Sequence, residues 1–154
     1  MGTALRPFVL SGIALGIALA GFFDGIVFHQ LVQWHHMLSA THWSTKTVYG
    51  LEVNTWADGA FHLGCLAVMI LGVSLLGRDI ERVGTRPPRR RLIGALLVGV
   101  GIFNVADGVI DHVILGIHHV RGGPHDTAWD IGFLVVFGTV GAVGAWLISS
   151  ADRA

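Results

Sequence analysis

The apolar stretch FVLSGIALGIALAGFFDGIVFHQLV, residues 8–32, decides the fold class of this chain. A helix that rises 1.5 Å per residue needs about twenty residues to cross a hydrocarbon core of about 30 Å, and this stretch is long enough. Further apolar stretches of similar length follow at 52–77, 92–117 and 128–148. Because helices satisfy their own backbone hydrogen bonds in lipid, the sequence predicts an all-α integral membrane protein with four transmembrane helices.

The composition agrees with this fold class. The chain has 154 residues, of which 53% are hydrophobic and 13% are charged, and its mean hydropathy is +0.66. A soluble domain usually carries about twice that charged fraction. These values exclude a disordered chain and a nucleic-acid-binding protein, and the length fits a single membrane domain over 1–154. Residues 18–20 resemble a signal-peptide cleavage site, but the apolar stretch continues past them and we expect no cleavage.

Basic residues are distributed unevenly along the chain. Eight of the ten lie at the N-terminus (Arg6), in the linker 78–91 or near the C-terminus, whereas Lys46 and Arg121 lie in the first and third linkers. Since Lys and Arg favour the cytoplasmic side of a membrane, we expect both termini to be cytoplasmic. The first and third linkers would then face outward.

Two segments of the chain align without gaps at an offset of 83 residues. DGIVFHQLVQWHHM, residues 24–37, matches DGVIDHVILGIHHV, residues 107–120. A weaker match joins NTWADGAFH, residues 54–62, to DTAWDIGFL, residues 126–134. This internal similarity indicates that the chain is built from two related halves.

The two halves predict a four-helix bundle made of two tandem helical hairpins. The first hairpin covers about 8–77 and the second about 91–149. Both hairpins would cross the membrane in the same orientation, so we expect an axis along the membrane normal to relate them. The glycine-rich helix faces would pack closely within the bundle or between protomers.

Acidic and histidine side chains are concentrated in the outward halves of the four apolar stretches. An ionised Asp at a helix centre costs roughly 2.5–3.5 kcal/mol, and no Lys or Arg lies within a span to compensate it. Helical bundles build metal sites from carboxylate and imidazole groups on several helices. The sequence therefore predicts a metal site formed by Asp24, His29, His35, His36, Asp58, His62, Asp107, Asp111, His112, His118 and His119.

The helical period predicts how some of these side chains are arranged. On a continuous α-helix, Asp24 and His35 would share one stripe, and His29 and His36 would share a second stripe. We expect the paired histidines of both halves to lie near the outer membrane interface, where polar groups are tolerated. The second half repeats the same spacing, so the same two stripes are expected there.

The two halves differ at polar positions, which indicates an asymmetric site. Phe28 of the first half corresponds to Asp111 of the second, and His62 corresponds to Leu134. We expect His62 to lie about 16 Å deep in the membrane. Asp58 and His62 are four residues apart on one helix and could therefore reach a common partner.

The segments GFFDGIVFHQLVQWHHMLS, NTWADGAFH and FNVADGVIDHVILGIHHV resemble a family of predicted bacterial membrane proteins catalogued as a domain of unknown function. The resemblance covers most of residues 8–150, and the family motifs fall on the same Asp and His residues. Members of that family are often encoded near membrane factors that deliver copper to cytochrome c oxidase. The resemblance thus implies a bacterial inner-membrane protein for copper handling or respiratory-oxidase assembly, with its metal site facing outward.

The residues leave the cofactor and the function class open. Imidazole suits copper, zinc and iron, and carboxylate favours iron, manganese or zinc, so a transition metal is expected, with copper favoured. The alternatives are a copper or di-iron oxidoreductase acting on a small or lipid-like substrate, an Asp–His ion transporter, and a haem protein with His62 opposite His29 or His112. The expected partners are the lipid bilayer, copper-delivery or oxidase-assembly proteins in the membrane, and a second copy of the chain.

Overall fold

The computed structural model describes residues 7–151 and 153, so that Arg6 lies outside the described residues. All regular structure in the described part is helical, and four helices are long and apolar enough to cross a membrane. The predicted fold class, an all-α integral membrane protein, is confirmed. The helices are α1, Val9–Phe23; α2, Val48–Val83; α3, Arg89–Asp107; and α4, Asp126–Ala151.

α1 and α3 each continue into a π-helical segment. Asp24–Leu31 extends α1, and Gly108–Ile114 extends α3. A π-helix is closed by hydrogen bonds between residues five apart, and such segments are frequent at functional sites. The first segment ends with the Val32 amide donating to the Val27 carbonyl at 2.9 Å, and the equivalent bond of the second segment measures 2.8 Å.

The first extended helix ends at Leu31, so the prediction that His35 and His36 continue the helix is wrong. Gln33 adopts a left-handed backbone conformation, with φ of 50°, and such a residue commonly ends a helix. The chain turns there and folds back over the helix end. As a consequence His35, with 5% of its surface exposed, is buried within the protein.

The second half turns in the same way. Its π segment ends at Ile114, Gly116 has a φ of 58°, and His118 and His119 follow in the loop. Glycine adopts this conformation without steric cost, whereas a residue with a side chain adopts it at some cost. His118 is fully buried in the protein, as His35 is.

The helices pack in the order α2, α1, α3, α4. α1 contacts both α2 and α3, and α3 contacts both α1 and α4. Each hairpin is therefore packed internally, and the two hairpins meet through α1 and α3. Between the described residues of α2 and α4 there is no close backbone contact, so these helices lie at the two ends of the row.

The central contact depends on two glycines that face each other, Gly16 of α1 and Gly99 of α3. A Cβ atom at Gly16 would overlap the carbonyl oxygen of Leu96, and one at Gly99 would overlap the carbonyl oxygen of Ile13. Small residues of this kind let membrane helices pack backbone against backbone. Gly16 and Gly99 are 83 residues apart, and so are Ile13 and Leu96. The contact of Gly16 with Leu96 is therefore the counterpart of the contact of Gly99 with Ile13 under a two-fold relation.

The N-terminus of α1 is held by a carboxylate from the neighbouring helix. Phe8 precedes the helix in a left-handed conformation and provides no side-chain cap. Asp79 of α2 accepts hydrogen bonds from the Phe8 amide at 2.8 Å and from the Ser11 hydroxyl at 2.9 Å. This carboxylate also interacts favourably with the positive end of the helix dipole.

Candidate metal centre

Two clusters of one Asp and two His residues lie where the π segments meet the loops. In each cluster, one potential ligand atom per residue lies within 4.8 Å of the others. The clusters correspond to each other at the 83-residue offset. We name Asp24, His29 and His35 the first triad, and Asp107, His112 and His118 the second triad.

The π-helical segments bring together the Asp and the first His of each triad. His29 Nε2 lies 3.1 Å from the Asp24 carboxylate, and His112 Nε2 lies 3.2 Å from the Asp107 carboxylate. Residues five apart in sequence are neighbours in a π-helix, whereas an α-helix would separate them by about 140°. The prediction that Asp24 and His29 occupy different stripes is therefore wrong.

The second His of each triad comes from the loop that folds back. His35 Nε2 lies 3.7 Å from the Asp24 carboxylate, and His118 Nε2 lies 3.5 Å from the Asp107 carboxylate. The rings of His35 and His118 stack on each other, with centroids 4.8 Å apart and an interplanar angle of 8°. The two triads therefore meet at these two imidazole rings.

The histidines of the π segments are oriented by carboxylates from the outer helices. His29 Nδ1 lies 2.8 Å from Asp58 of α2, and His112 Nδ1 lies 3.0 Å from Asp130 of α4. Histidines that bind metals usually direct their other ring nitrogen to a carboxylate, a carbonyl or water, which fixes the tautomer and the ring orientation. Both pairs show this arrangement.

The loop histidines are oriented by backbone carbonyls. His35 Nδ1 donates to the Val120 carbonyl at 2.9 Å, and His118 Nδ1 donates to the Met37 carbonyl at 3.2 Å. Because a carbonyl can only accept, the proton of each neutral ring is on Nδ1 and the lone pair is on Nε2. Burial lowers the pKa of His35, against the opposing effect of the Asp24 carboxylate, and so favours this neutral form.

The Nε2 atoms of the two triads are buried and make no hydrogen bond. In His35 and His118 the buried lone pair on Nε2 faces an Asp carboxylate, and a cation bound between the two groups would relieve this unfavourable contact. Ligand atoms around a tetrahedral ion with bonds of about 2.1 Å are about 3.4 Å apart. The Nε2 atoms of each triad lie 3.1–3.7 Å from different oxygens of its Asp carboxylate, and one ligand atom per residue lies within 4.8 Å of the others.

His36 and His119 lie outside the triads and share the outer carboxylates. His36 Nδ1 lies 2.6 Å from Asp58, and His119 Nδ1 lies 2.7 Å from Asp130. Asp58 also accepts a hydrogen bond from the Met37 amide at 2.9 Å. His36 and His119 therefore lie beside the triads. They contact the carboxylates that orient His29 and its counterpart His112.

Asp130, which is not among the predicted metal-site residues, performs in the second half the role of Asp58 in the first. It is 5% exposed and accepts a hydrogen bond from the Val120 amide at 3.0 Å. The signal was present in the alignment of 54–62 with 126–134, where Asp58 and Asp130 correspond.

His62 lies outside both triads. A Cβ atom at Gly25 would collide with its imidazole, and its ring stacks on Phe22 at 5.9 Å. The Asp58 carboxylate is directed to His29 and His36, not to a partner that it shares with His62. The equivalent position beside the second triad is occupied by a leucine.

Asp111 is placed beside the second triad. Its carboxyl group is within hydrogen-bonding distance of the Asp107 carboxyl group. The first triad has the ring of Phe28 at this position, stacked against His35 at 6.0 Å. The two triads therefore have equivalent inner residues and different surroundings.

The fold and these clusters define an integral membrane protein with paired Asp–His–His groups buried at one end of its helices. The chain belongs to the family described as predicted membrane protein (DUF2243), which matches residues 11–151. No curated protein and no solved structure matches the chain.

Proposed function

We propose that the protein binds two transition-metal ions, one in each triad, and takes part in copper handling or respiratory-oxidase assembly in the bacterial inner membrane. The observation that carries the proposal is the orientation of the triad histidines. Each ring directs Nδ1 toward a carboxylate or a carbonyl, through a hydrogen bond in His29, His35 and His118 and through a contact of 3.0 Å in His112, while its Nε2 is buried beside an Asp without a hydrogen bond. This is the environment expected around metal-ligating histidines.

The composition of each triad favours a first-row transition metal. Two imidazoles and one carboxylate suit copper, zinc and iron, and copper is the metal that the family resemblance favours. Three protein ligands leave at least one coordination position for water or another ligand. The matched contacts of the two halves support their interpretation as a tandem repeat that carries one ion per half.

The distribution of charge and aromatic residues supports an outward-facing centre. Arg121 lies over the rings of Trp34 and Trp129, at 5.4 and 5.8 Å from their centroids, at the end of the helices that carries the triads. Tryptophan is enriched at membrane interfaces. The linker 78–91, which contains six arginines, would then face the cytoplasm, as the positive-inside rule requires.

A membrane metalloenzyme is the second candidate function, and the open coordination position favours it. A haem protein with His62 opposite His29 or His112 is less well supported, because the His62 ring stacks on Phe22 and lies against Gly25. Ion transport is also less well supported, since the acids and histidines of the site lie toward one end of the helices.

Metal content tests the proposal. The purified protein and its variants are loaded separately with Cu²⁺, Zn²⁺ and Fe²⁺, desalted and analysed for metal per chain. We expect two ions in the original protein, one in Asp24→Ala and one in Asp107→Ala. His62→Ala, which changes a half-buried histidine outside both triads, serves as the matched control and should retain two. The proposal is overturned if the two Asp variants hold as much metal as the original protein, with helical content unchanged.

A further inference from the structure

A groove of about 280 Å³ leads to the second triad. Ile102 and Ile110 on its rim are about half exposed on the lipid-facing surface of the helices. The carboxyl groups of Asp107 and Asp111 form its polar part. Its apolar walls are formed by Ile17, Phe61, Ile102, Phe103, Ala106 and Ile110.

The corresponding crevice of the first half does not reach its triad. It is lined by Leu19, Ala20, Phe23, Val100, Asn104 and Phe137, and neither Asp24 nor Phe28 contributes to it. At the 83-residue offset, Phe23 stands where the second half has Ala106, and Phe28 stands where it has Asp111.

Aromatic packing closes the first triad from this side. Phe23 and Phe28 pack edge to face at 5.9 Å, and Phe28 also stacks on Trp34 at 5.3 Å. With Ala106 and Asp111 at the equivalent positions, the second half lacks this pair of rings. The Asp107 side chain is accordingly 9% exposed, against 4% for Asp24.

The groove ends at groups that point to a ligand. The side chains of Asp107 and Asp111 both line the groove and present carboxyl oxygens to it. Behind them, the Nε2 atoms of His112 and His118 are buried without a partner, in residues that are 3% and 0% exposed. These unpartnered nitrogens are independent of the carboxyl pair and lie against Asp107.

We propose that the groove binds a small, uncharged, lipid-soluble molecule of the phenol class, with its hydroxyl at Asp111 and its ring against Phe61 and Phe103. The apolar walls suit a hydrocarbon body, and the volume is near the lower end of ligand pockets, which fits one ring. The carboxyl pair accepts a hydroxyl hydrogen and repels an anion. A molecule that enters from the bilayer must also be uncharged, because charge in hydrocarbon is costly.

This inference deepens the proposed function by assigning the second triad as the one whose metal an external molecule can approach. The binding of the phenol in the groove does not itself need the metal. Failure of one proposal therefore leaves the other open to a separate test.

Photolabelling tests the groove. The metal-treated protein in phosphatidylcholine vesicles is irradiated with a phenol that carries a diazirine, and the labelled residues are located by mass spectrometry. We expect labels on Phe61 and Ile110 that excess unlabelled 4-ethylphenol suppresses. Ala106→Phe, which restores the missing ring, should lower this labelling roughly tenfold or more. Asp111→Leu should weaken competition by unlabelled 4-ethylphenol roughly tenfold, because it removes the hydrogen bond from the phenol hydroxyl to the Asp111 carboxyl group.

Phe23→Ala is the matched control in the other half. It should leave the labelling of the groove unchanged. It should also add labels beside Leu19 that excess unlabelled 4-ethylphenol suppresses. The proposal is overturned if labelling is spread evenly over the lipid-facing helices without competition, or if folded Ala106→Phe is labelled like the original protein. Competed labelling in a chain that retains no metal would support the groove and overturn the metal centre.

Discussion

At the scale of single residues, the outer carboxylates Asp58 and Asp130 orient the rings that would bind metal. Each holds one triad histidine and one of the paired loop histidines at 2.6–3.0 Å. Neither carboxylate belongs to a triad, so its effect on a metal ion is exerted through the tautomer and direction of an imidazole. Removal of such a partner typically lowers metal affinity 10–100-fold.

We therefore expect Asp58→Ala to lower the affinity of the first triad by about 10–100-fold and to leave the second unchanged. Asp130→Ala should have the converse effect. Competition against a chromophoric chelator, with the two binding steps fitted separately, measures both affinities. An equal loss at both triads in either variant would show that the carboxylates act on the whole fold and not on one ring each.

Metal binding should weaken as the pH falls through the imidazole range. Protons and metal compete for each Nε2 lone pair, so affinity is highest when the histidines are neutral and decreases at lower pH. Equilibrium dialysis between about pH 8 and pH 5 measures this change. Retention of the same metal content over that range would indicate carboxylate ligands without histidine.

The residue types of the site could be predicted from the sequence, but their burial could not. Asp and His at equivalent places in two halves of an apolar chain indicated the site. The fold-back of the loop depends on left-handed conformations at Gln33 and Gly116. Glycine gives a weak sequence signal for such a turn, and glutamine gives none.

At the scale of helices, the π-helical segments determine which side chains meet. Asp24 and His29 are brought together because the backbone bonds shift from four to five residues. This shift has no distinctive composition, so a helical wheel drawn with the α-helical period separates residues that the structure joins. The four spans themselves were predictable, because length and hydropathy suffice for them, although their ends differ by several residues from the expected ones.

The Asp79 cap of α1 gives a prediction at this scale. Asp79→Ala removes the acceptor for the Phe8 amide and the Ser11 hydroxyl. We expect a loss of about 1 kcal/mol in the free energy of unfolding, the usual effect of losing a helix cap. Glu81→Ala, which removes an exposed carboxylate two residues away on α2, is the control and should change stability by less than about 0.5 kcal/mol. Thermal unfolding in detergent compares the two variants. Equal unfolding midpoints for Asp79→Ala and Glu81→Ala would contradict the capping role of Asp79.

At the scale of the whole molecule, the contact between α1 and α3 joins the two hairpins. Gly16→Ala places a methyl group against the Leu96 carbonyl, so the two backbones must separate. We expect a loss of about 1–3 kcal/mol in the free energy of unfolding, as for other overpacked sites. Chemical denaturation in detergent measures this change.

Gly59 and Gly64 provide the controls for this substitution. No atom lies within 4 Å of a Cβ atom at either position. Alanine should therefore be tolerated there, and it should stabilise the helix by about 0.5–1 kcal/mol through its higher propensity. Destabilisation by Gly59→Ala as large as that by Gly16→Ala would show that the loss reflects glycine removal in general and not the central contact.

The hydrogen bonds from the loop histidines to backbone carbonyls connect the two halves of the chain. His35 of the first half donates to Val120 of the second, and His118 of the second half donates to Met37 of the first. Neither hairpin alone can orient all the rings of its own triad, so separation of the hairpins would leave two defective sites instead of two working ones. A polypeptide containing one such hairpin could complete its site only by associating with a second hairpin, and two separately expressed halves should acquire metal only after they associate.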